Sequence, residues 1–564
     1  MTISNAKRGN GMDNQGDEKK ILLRPENQNK QYEALFIEID SGQIKLPMFQ
    51  RDFVWDKEQS AKLVDSILKG FPIGTFIFWK TREQLRAYKE IGNHMLPETP
   101  EGDYALYVLD GQQRITSLYA IRKGIRITKD GKEIDYKDIY INLDYDPAED
   151  EQIVVASKED GKNLVSVHDI LTKKMAVFYK TLPSDKAELV EDYKGKLTTY
   201  DFSTILIKDY PIDVACDVFT RINTGGKTLT LFEIMVAMTY DDKKQFDLAE
   251  KYEELIDGND EEDNCLAKAK FETIPETTIM QVVAAIATRS IRAKDILKMK
   301  RDDFIKNWNP MKESLFMAVD FVRSELSIPV SQLLPYPVIL VPLAYFFYES
   351  KNKKASSAQK LLLEQYVYWA GLNLRYSSAA ESKVGEDLRK MIDIAKVKAP
   401  KYPRDELQIN AETIRDTWFS TGNAFCKAVL CLLASKKPKS FDTNGDVLLD
   451  NSNLKIASSR NYHHFFPKDY LKKKQPDQEA NWVANIALID AYSNKHKIAA
   501  KAPSAYITAF MSSNPKLKQG LRTHLIPDAD AFGVLSDDYE TFLAMRSEQI
   551  AASLRSKLNP EGTQ

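Results

Sequence analysis

The spacing of apolar residues changes once along this chain, near residue 240, and that change limits what it can fold into. From about Tyr32 to Tyr240, short β-branched and aromatic runs alternate with helical stretches. Thr75-Phe76-Ile77-Phe78-Trp79 and Tyr104-Ala105-Leu106-Tyr107-Val108-Leu109 predict strands, while Leu63, Val64, Ile67 and Leu68 make one helical stripe. Asp56, three residues ahead of Gln59, predicts the N-cap of that helix, and Gly70 its stop. From about Asp241 to Lys437 the spacing is helical almost throughout, as in Ile279 to Ile286, Leu315 to Leu326, Gln359 to Leu374 and Phe425 to Leu433. One core does not serve 564 residues. The fold expected is α+β and multidomain: a flexible tail over 1–30, an α/β domain over 31–240, a helical linking domain over 241–437, and a terminal domain over 438–564.

Hydrophobic residues at 43% and charged residues at 28% are ordinary for a globular protein. A formal net charge of −2 carries no global signal for nucleic acid, so a DNA-binding surface has to be local. Between Lys455 and Lys501 the balance is nine Lys/Arg against four acids, enough to attract a phosphate backbone. The run Lys472-Lys473-Lys474 alone reads as a solvated face. Cys216, Cys265, Cys426 and Cys431 show no paired CxxC spacing, which favours a reducing cytoplasm over a disulfide or zinc framework. The opening residues show no leader pattern. The most apolar run, Leu333 to Tyr348, contains Pro335, Pro337 and Pro342 and falls short of the roughly 20 residues of a span. A buried segment and no membrane partner are expected.

Residues able to do chemistry gather at two ends. Only six histidines occur, and His463, His464 and His496 share an interval with Asn485 and Asn494. Imidazole takes a proton near neutral pH or holds a metal, and a carboxamide ligates metal or orients an imidazole. His, then Asn, then a second Asn or His about eight residues on is the order used by metal-dependent HNH (ββα-metal) nucleases. A neutral imidazole there activates water, and Mg²⁺ or Mn²⁺ suits the oxygen ligands. Structural histidines with turn-capping asparagines are the plain alternative.

Near the other end, Asp110-Gly111-Gln112-Gln113-Arg114 closes a predicted strand and opens a predicted helix, Ile115 to Arg122. Such a junction leaves backbone N–H groups and a helix dipole facing outward, a place suited to phosphate. Arg114 offers a bidentate phosphate partner, and Asp110 a ligand for Mg²⁺ or a handle for water. Pro47-Met48-Phe49-Gln50-Arg51-Asp52-Phe53-Val54-Trp55 and Phe219-Thr220-Arg221-Ile222-Asn223-Thr224-Gly225-Gly226-Lys227 add polar groups in turn-like contexts. Taken singly, each is equally a surface loop or a capped turn.

Together, PMFQRDFVW, KGFPIGTFIFW, VLDGQQR and FTRINTGGKTL resemble the N-terminal domain of GmrSD-type and SspE-type DNA restriction proteins, related to the ParB/sulfiredoxin nucleotide-binding fold. The resemblance covers roughly residues 30–240. It implies nucleotide binding and hydrolysis at Asp110, Gly111, Gln112, Gln113 and Arg114, with Gln50, Arg51, Asn223, Gly225 and Gly226 in the same site. HHFFPK followed by NWVANIALIDAYSNKHK is similar to the HNH domain fused to it in the same families, over about 440–550. That likeness implies His464 as general base, Asn485 as the residue orienting its loop, and Asn494 as a metal ligand. His463 stands where relatives carry Asp or Glu and becomes the other ligand, with His496 an alternative that the motif does not favour.

The expectation is a cytoplasmic, nucleotide-regulated, metal-dependent DNA endonuclease of a modification-dependent restriction or phage-defence system. Its partners are DNA, unmodified or carrying phosphorothioate or a glucosylated base, and an NTP, which is GTP, ATP or CTP. Monomer and homodimer both stay open. A DNA-modification reader using nucleotide as a conformational ligand, and an RNA-cutting toxin, are the competing classes.

Overall fold

Two units meet in the chain between Leu229 and Thr230 in this computed structural model. It describes residues 24–559 apart from 48–52, 83, 84, 86, 88, 89, 92, 93, 101, 130, 131, 149, 159–162, 223–229, 242, 260–263, 403–408 and 455–461.

The first unit is built from β1 (Glu26–Gln31), α1 (Tyr32–Asp40), β2 (Ile44–Lys45), α2 (Lys57–Leu68), β3 (Phe76–Thr81), β4 (Ala105–Asp110), α3 (Gln112–Lys123) and β5 (Asp201–Lys208), with shorter elements between. The main sheet has the order β1-β5-β3-β4-β2. Its β5/β3 and β2/β4 pairs are parallel, and β1/β5 and β3/β4 antiparallel. Phe76, Phe78 and Val108 from the sheet meet Phe36, Ile115, Tyr119 and Val64 from the helices in one core. The helix start expected at Asp56 is present as a reciprocal capping box with Gln59. Leu63, Val64, Ile67 and Leu68 all face inward.

Composition placed residues up to about 30 in a tail, whereas the sheet already begins at Glu26. The β1 side chains are almost all exposed, so backbone pairing with β5 holds this edge rather than apolar burial. A hydrophobicity pattern cannot show such a strand.

In the second unit the main helices are α4 (Glu276–Thr288), α5 (Arg301–Asp320), α6 (Leu340–Glu349), α7 (Ser357–Leu372), α8 (Ala380–Ala395) and α9 (Ala424–Ser435). Each expected helical stretch lies in this series, except that Leu315 to Leu326 runs past α5 through a π turn over Phe321–Glu325 and Gln359 to Leu374 runs past the end of α7 at Leu372. Leu340 to Phe347 are all buried, where α6 packs against α4, α5 and α8. Among the described residues no helix is long and apolar enough to cross a membrane. All four cysteines are buried, and none is in a disulfide.

After α9 come β6 (Tyr462–His464), α10 (Lys468–Lys474), β7 (Ile486–Leu488), α11 (Pro503–Ser513) and α12 (Tyr539–Leu558). The apolar core runs from Met235 to Leu554 through Phe441, Val447 and Leu449. The polar stretch from residue 436 to 453, which reads as a linker, thus contributes core residues within one unit. The terminal helix α12 closes the arrangement by packing on α7 and α9.

Candidate functional site

At the end of β4, Gly111 has φ +96°, and a Cβ there would lie 2.3 Å from Phe76 Cδ1. Only glycine lets the chain turn into α3 this close to the sheet. The first bond within α3 is Ile115 N–H to Gly111 O, so the N–H groups ahead of it have no partner from within the helix. Arg114 bridges the surrounding turn. Its Nη1 donates to Ile73 O at 2.7 Å, and its Nη2 to Thr75 O and Asp110 Oδ2, both at 3.0 Å. The guanidinium also lies over the Phe76 ring. Burial pulls the Arg114 pKa below its usual value, against the opposing charge of Asp110. Gln113 Oε1 accepts from Val54 N at 2.8 Å and Trp55 N at 3.3 Å, and Gln112 is buried beside it.

Asp110, Gly111, Gln112, Gln113 and Arg114 therefore share one junction. There, the side chains of Gln113 and Arg114 fasten the Phe53–Trp55 and Ile73–Thr75 segments to the start of α3. Gln50, Arg51, Asn223, Gly225 and Gly226, expected in the same site, lie outside the described residues.

The second constellation forms around a two-stranded hairpin. β6 pairs antiparallel with β7, setting His463 opposite Ala487 and His464 opposite Ile486. Neighbours on a strand face opposite ways. His463 accordingly turns inward, with 3% of its surface exposed, while His464 is half-buried. His463 Nδ1 lies 3.0 Å from Asn494 Oδ1, and its Nε2 is buried with no hydrogen-bond partner. Asn494 stands in a π turn, Ser493–Ile498, whose start is pinned by Asp490 accepting from Ser493 N at 2.7 Å. Strand, strand and helical turn thus bring the two candidate metal ligands together. His496 is exposed and lies against the Tyr492 ring.

Asn485 has no solvent exposure. Its Oδ1 accepts from Phe466 N at 2.8 Å, and its Nδ2 donates to Phe466 O at 3.0 Å and Ala480 O at 2.9 Å. It thereby ties down the loop that follows His464. More distant side chains catch other carbonyls of this frame. Tyr506 Oη donates to Phe465 O at 2.6 Å, Tyr539 Oη to Glu479 O at 2.8 Å, and Arg546 Nη1 to Ala484 O at 2.7 Å. Below the loop, the Phe465 ring stacks on Phe542 of α12 at 4.8 Å.

Arg546 is fully buried, and among the described residues no carboxylate pairs with it. Burial lowers its pKa to about 9, which still leaves it charged at neutral pH. Burial also lowers the His463 and His464 pKa values, to about 3 and about 4. Both rings are therefore neutral at pH 7, the form that accepts a proton or ligates a cation.

Asn481, Tyr506, Tyr539 and Arg546 went unread in the sequence. Asn481 had a signal, since it stands four residues before Asn485; Arg546 had none, because a lone arginine in a charged helix reads as surface. His463 and Asn494 are the two donors available here to a divalent cation. The unpartnered nitrogen is Nε2, whereas Asn494 Oδ1 sits against Nδ1, so as they stand the two donors do not face one cation, and sharing it would need the carboxamide to leave Nδ1. No group of three His, Cys, Asp or Glu able to hold a metal occurs among the described residues, so the protein share of such a site is small.

Residues 32–240 match the family described as the N-terminal domain of the GmrSD restriction endonuclease. That match supports an N-terminus of the GmrSD restriction type and suggests a restriction-system protein. An uncharacterized protein of Methanocaldococcus jannaschii is 25% identical over 515 residues, covering 83% of this chain and 84% of its own length. Arginine–tRNA ligase of Photorhabdus laumondii is 24% identical over 192 residues, 34% of this chain and 31% of that protein.

Proposed function

We propose that this chain is a metal-dependent DNA endonuclease of a modification-dependent restriction or phage-defence system, cutting at the β6–β7 hairpin and regulated by nucleotide at the β4–α3 junction. One observation carries the nuclease reading: the half-buried His464 ends a strand whose following loop Asn485 holds from within, with His463 and Asn494 in contact at 3.0 Å on the inward face of the same strand. The N-terminal match to a restriction endonuclease family supplies the context and points to DNA as partner.

If the Asn494 carboxamide turned off Nδ1, His463 and Asn494 would hold Mg²⁺ or Mn²⁺, which would supply positive charge to the phosphate and the leaving oxygen. The chain's own contribution is proton transfer and positioning. A water oxygen forms the new bond to phosphorus, the bond to the leaving ribose oxygen breaks, and the water proton passes to neutral His464. The leaving oxygen takes a proton from solvent, and the imidazolium later returns its own to solvent. Asn485, Tyr506 and Arg546 act by keeping the hairpin backbone in place through the reaction.

At the other end, the N-terminus of α3 next to Gly111 is the place where the phosphates of GTP, ATP or CTP would be drawn, with Asp110 and Arg114 beside it. Arg114 supports that site through the turn it fastens. Plasmid digestion with Mg²⁺ or Mn²⁺, each NTP, and unmodified, phosphorothioated or glucosylated DNA tests the whole reading. His464→Ala should abolish cleavage and leave NTP turnover intact, while Arg114→Ala should lower NTP turnover and leave the nuclease metal bound. Cleavage at the wild-type rate by His464→Ala refutes the nuclease assignment.

A further inference from the structure

The imidazole assigned as base has a partner outside the His and Asn positions that suggested the site. His464 Nε2 lies 3.0 Å from Asn481 Oδ1. Which end of that carboxamide faces the ring is settled by its other contact. Asn481 Nδ2 lies 3.2 Å from Phe419 O, and a backbone carbonyl only accepts, so this end carries the hydrogens. The oxygen therefore faces His464. An amide oxygen accepts as well, so Nε2 must be the protonated nitrogen of the neutral ring. The lone pair is left on Nδ1. Among the described residues Nδ1 makes no hydrogen bond, and it is not among the buried, unpartnered polar atoms. Among those residues it is the ring nitrogen left without a protein partner.

Asn481 is itself held from several sides. Its N–H donates to Glu479 Oε1 at 2.8 Å, and its C=O accepts from Phe419 N at 2.8 Å. Trp482, which follows Asn481, and Trp418, which precedes Phe419, form an antiparallel bridge with their rings 5.7 Å apart. The Phe419 ring meets the His464 ring edge-on at 6.3 Å. The segment that sets the carboxamide thus comes from ahead of α9, more than 40 residues before the hairpin.

The geometry points to Asn481 as the positioning residue of the nuclease base: it locks His464 in the Nε2–H tautomer and leaves Nδ1 as the atom that takes the proton. This rests on the reading of His464 as the base. Truncating an outer partner of this kind costs on the order of 10- to 100-fold in activity, and the loss here falls on turnover, because Asn481 acts through His464.

The test uses the full chain with ¹⁵N-labelled histidine, the His464 signal being assigned by its loss in His464→Gln. Nitrogen NMR at neutral pH reads the tautomer directly, in the wild type and in two variants. Wild-type protein should show the proton on Nε2. Asn481→Leu, similar in size but without an acceptor, should shift His464 toward a mixture of tautomers and lower kcat about 10- to 100-fold, with KM for DNA within about twofold. Asn481→Asp keeps an acceptor on Nε2, loses the donor to Phe419 O and adds a negative charge that favours the imidazolium, so at a pH where the ring is neutral it should retain the Nε2–H form and cut faster than Asn481→Leu. A purely structural Asn481 would leave the tautomer unmoved in all three proteins. That result, or a wild-type ring protonated on Nδ1, overturns the inference. Wild-type protein that shows the Nε2–H ring but cuts no nucleic acid under any condition refutes the nuclease reading instead, and the tautomer lock stands.

Discussion

Replacing Asn485 by alanine deprives the Phe466 N–H, the Phe466 carbonyl and the Ala480 carbonyl of a partner in one step, at a position water does not reach. A buried group left unsatisfied costs about 1–3 kcal/mol, with carbonyls more tolerant than N–H groups. The sum is roughly 3–5 kcal/mol, a large share of the roughly 5–15 kcal/mol that holds a domain together. Peeling the 465–467 loop away from the hairpin is cheaper than unfolding the unit, so the loop should open first. An opening free energy lowered by about 3 kcal/mol speeds amide exchange at Phe466 on the order of 100-fold. DNA cutting should fall by a similar factor, because the base rides on the same loop.

Hydrogen-exchange mass spectrometry over 462–470, with urea denaturation alongside, reads both effects. Asn485→Asp sharpens the test because its shape is unchanged. It keeps the acceptor for Phe466 N–H but sets a carboxylate oxygen against two carbonyls, which raises the folded-state pKa of that carboxyl above its ordinary value of about 3.9. A raised folded pKa means stability present at low pH and lost as pH climbs through the folded value. The aspartate variant should therefore be closer to wild type at pH 4.5 than at pH 8. Unchanged exchange at 465–466 in Asn485→Ala would show that this carboxamide does not hold the loop.

Two further outcomes follow from the geometry. Gly111→Ala should destabilise the first unit by about 1–2 kcal/mol from the left-handed backbone, and by about 1–3 kcal/mol more from the Cβ pressed on Phe76. Gly70→Ala, at φ +71° with nothing within 4 Å, should show only the backbone part, and equal losses for the two would refute the contact. His524, 2% exposed and donating from Nε2 to Lys439 O, has its pKa lowered by burial from 6.5 to about 4. A depressed histidine contributes stability that is complete above pH 6.5 and lost as pH falls toward 4, about 2 kcal/mol of it by pH 5. His524→Gln, which keeps a donor and cannot titrate, should reduce the pH 7 to pH 5 loss by that amount in urea titrations; an identical loss rules His524 out as its source.

Local order was written into the residues and could be read there. The Asp56–Gln59 cap, the strands at Phe76 and Ala105, the turn at Gly111 and the order His464, Asn485, Asn494 all depend on spacings within a few tens of positions, where backbone propensity and side-chain reach decide the outcome. Partners supplied from far along the chain left no such trace. Asn481 meets His464 with its oxygen because Phe419 takes its other end, Arg546 is buried because α12 closes over Ala484, and Glu26–Gln31 pairs through backbone with a strand more than 170 residues on. Continuity of the core from Met235 to Leu554 is of the same kind. Long-range packing chooses among many surfaces that look alike in composition, and the choice is made only when the helices and the hairpin are brought together.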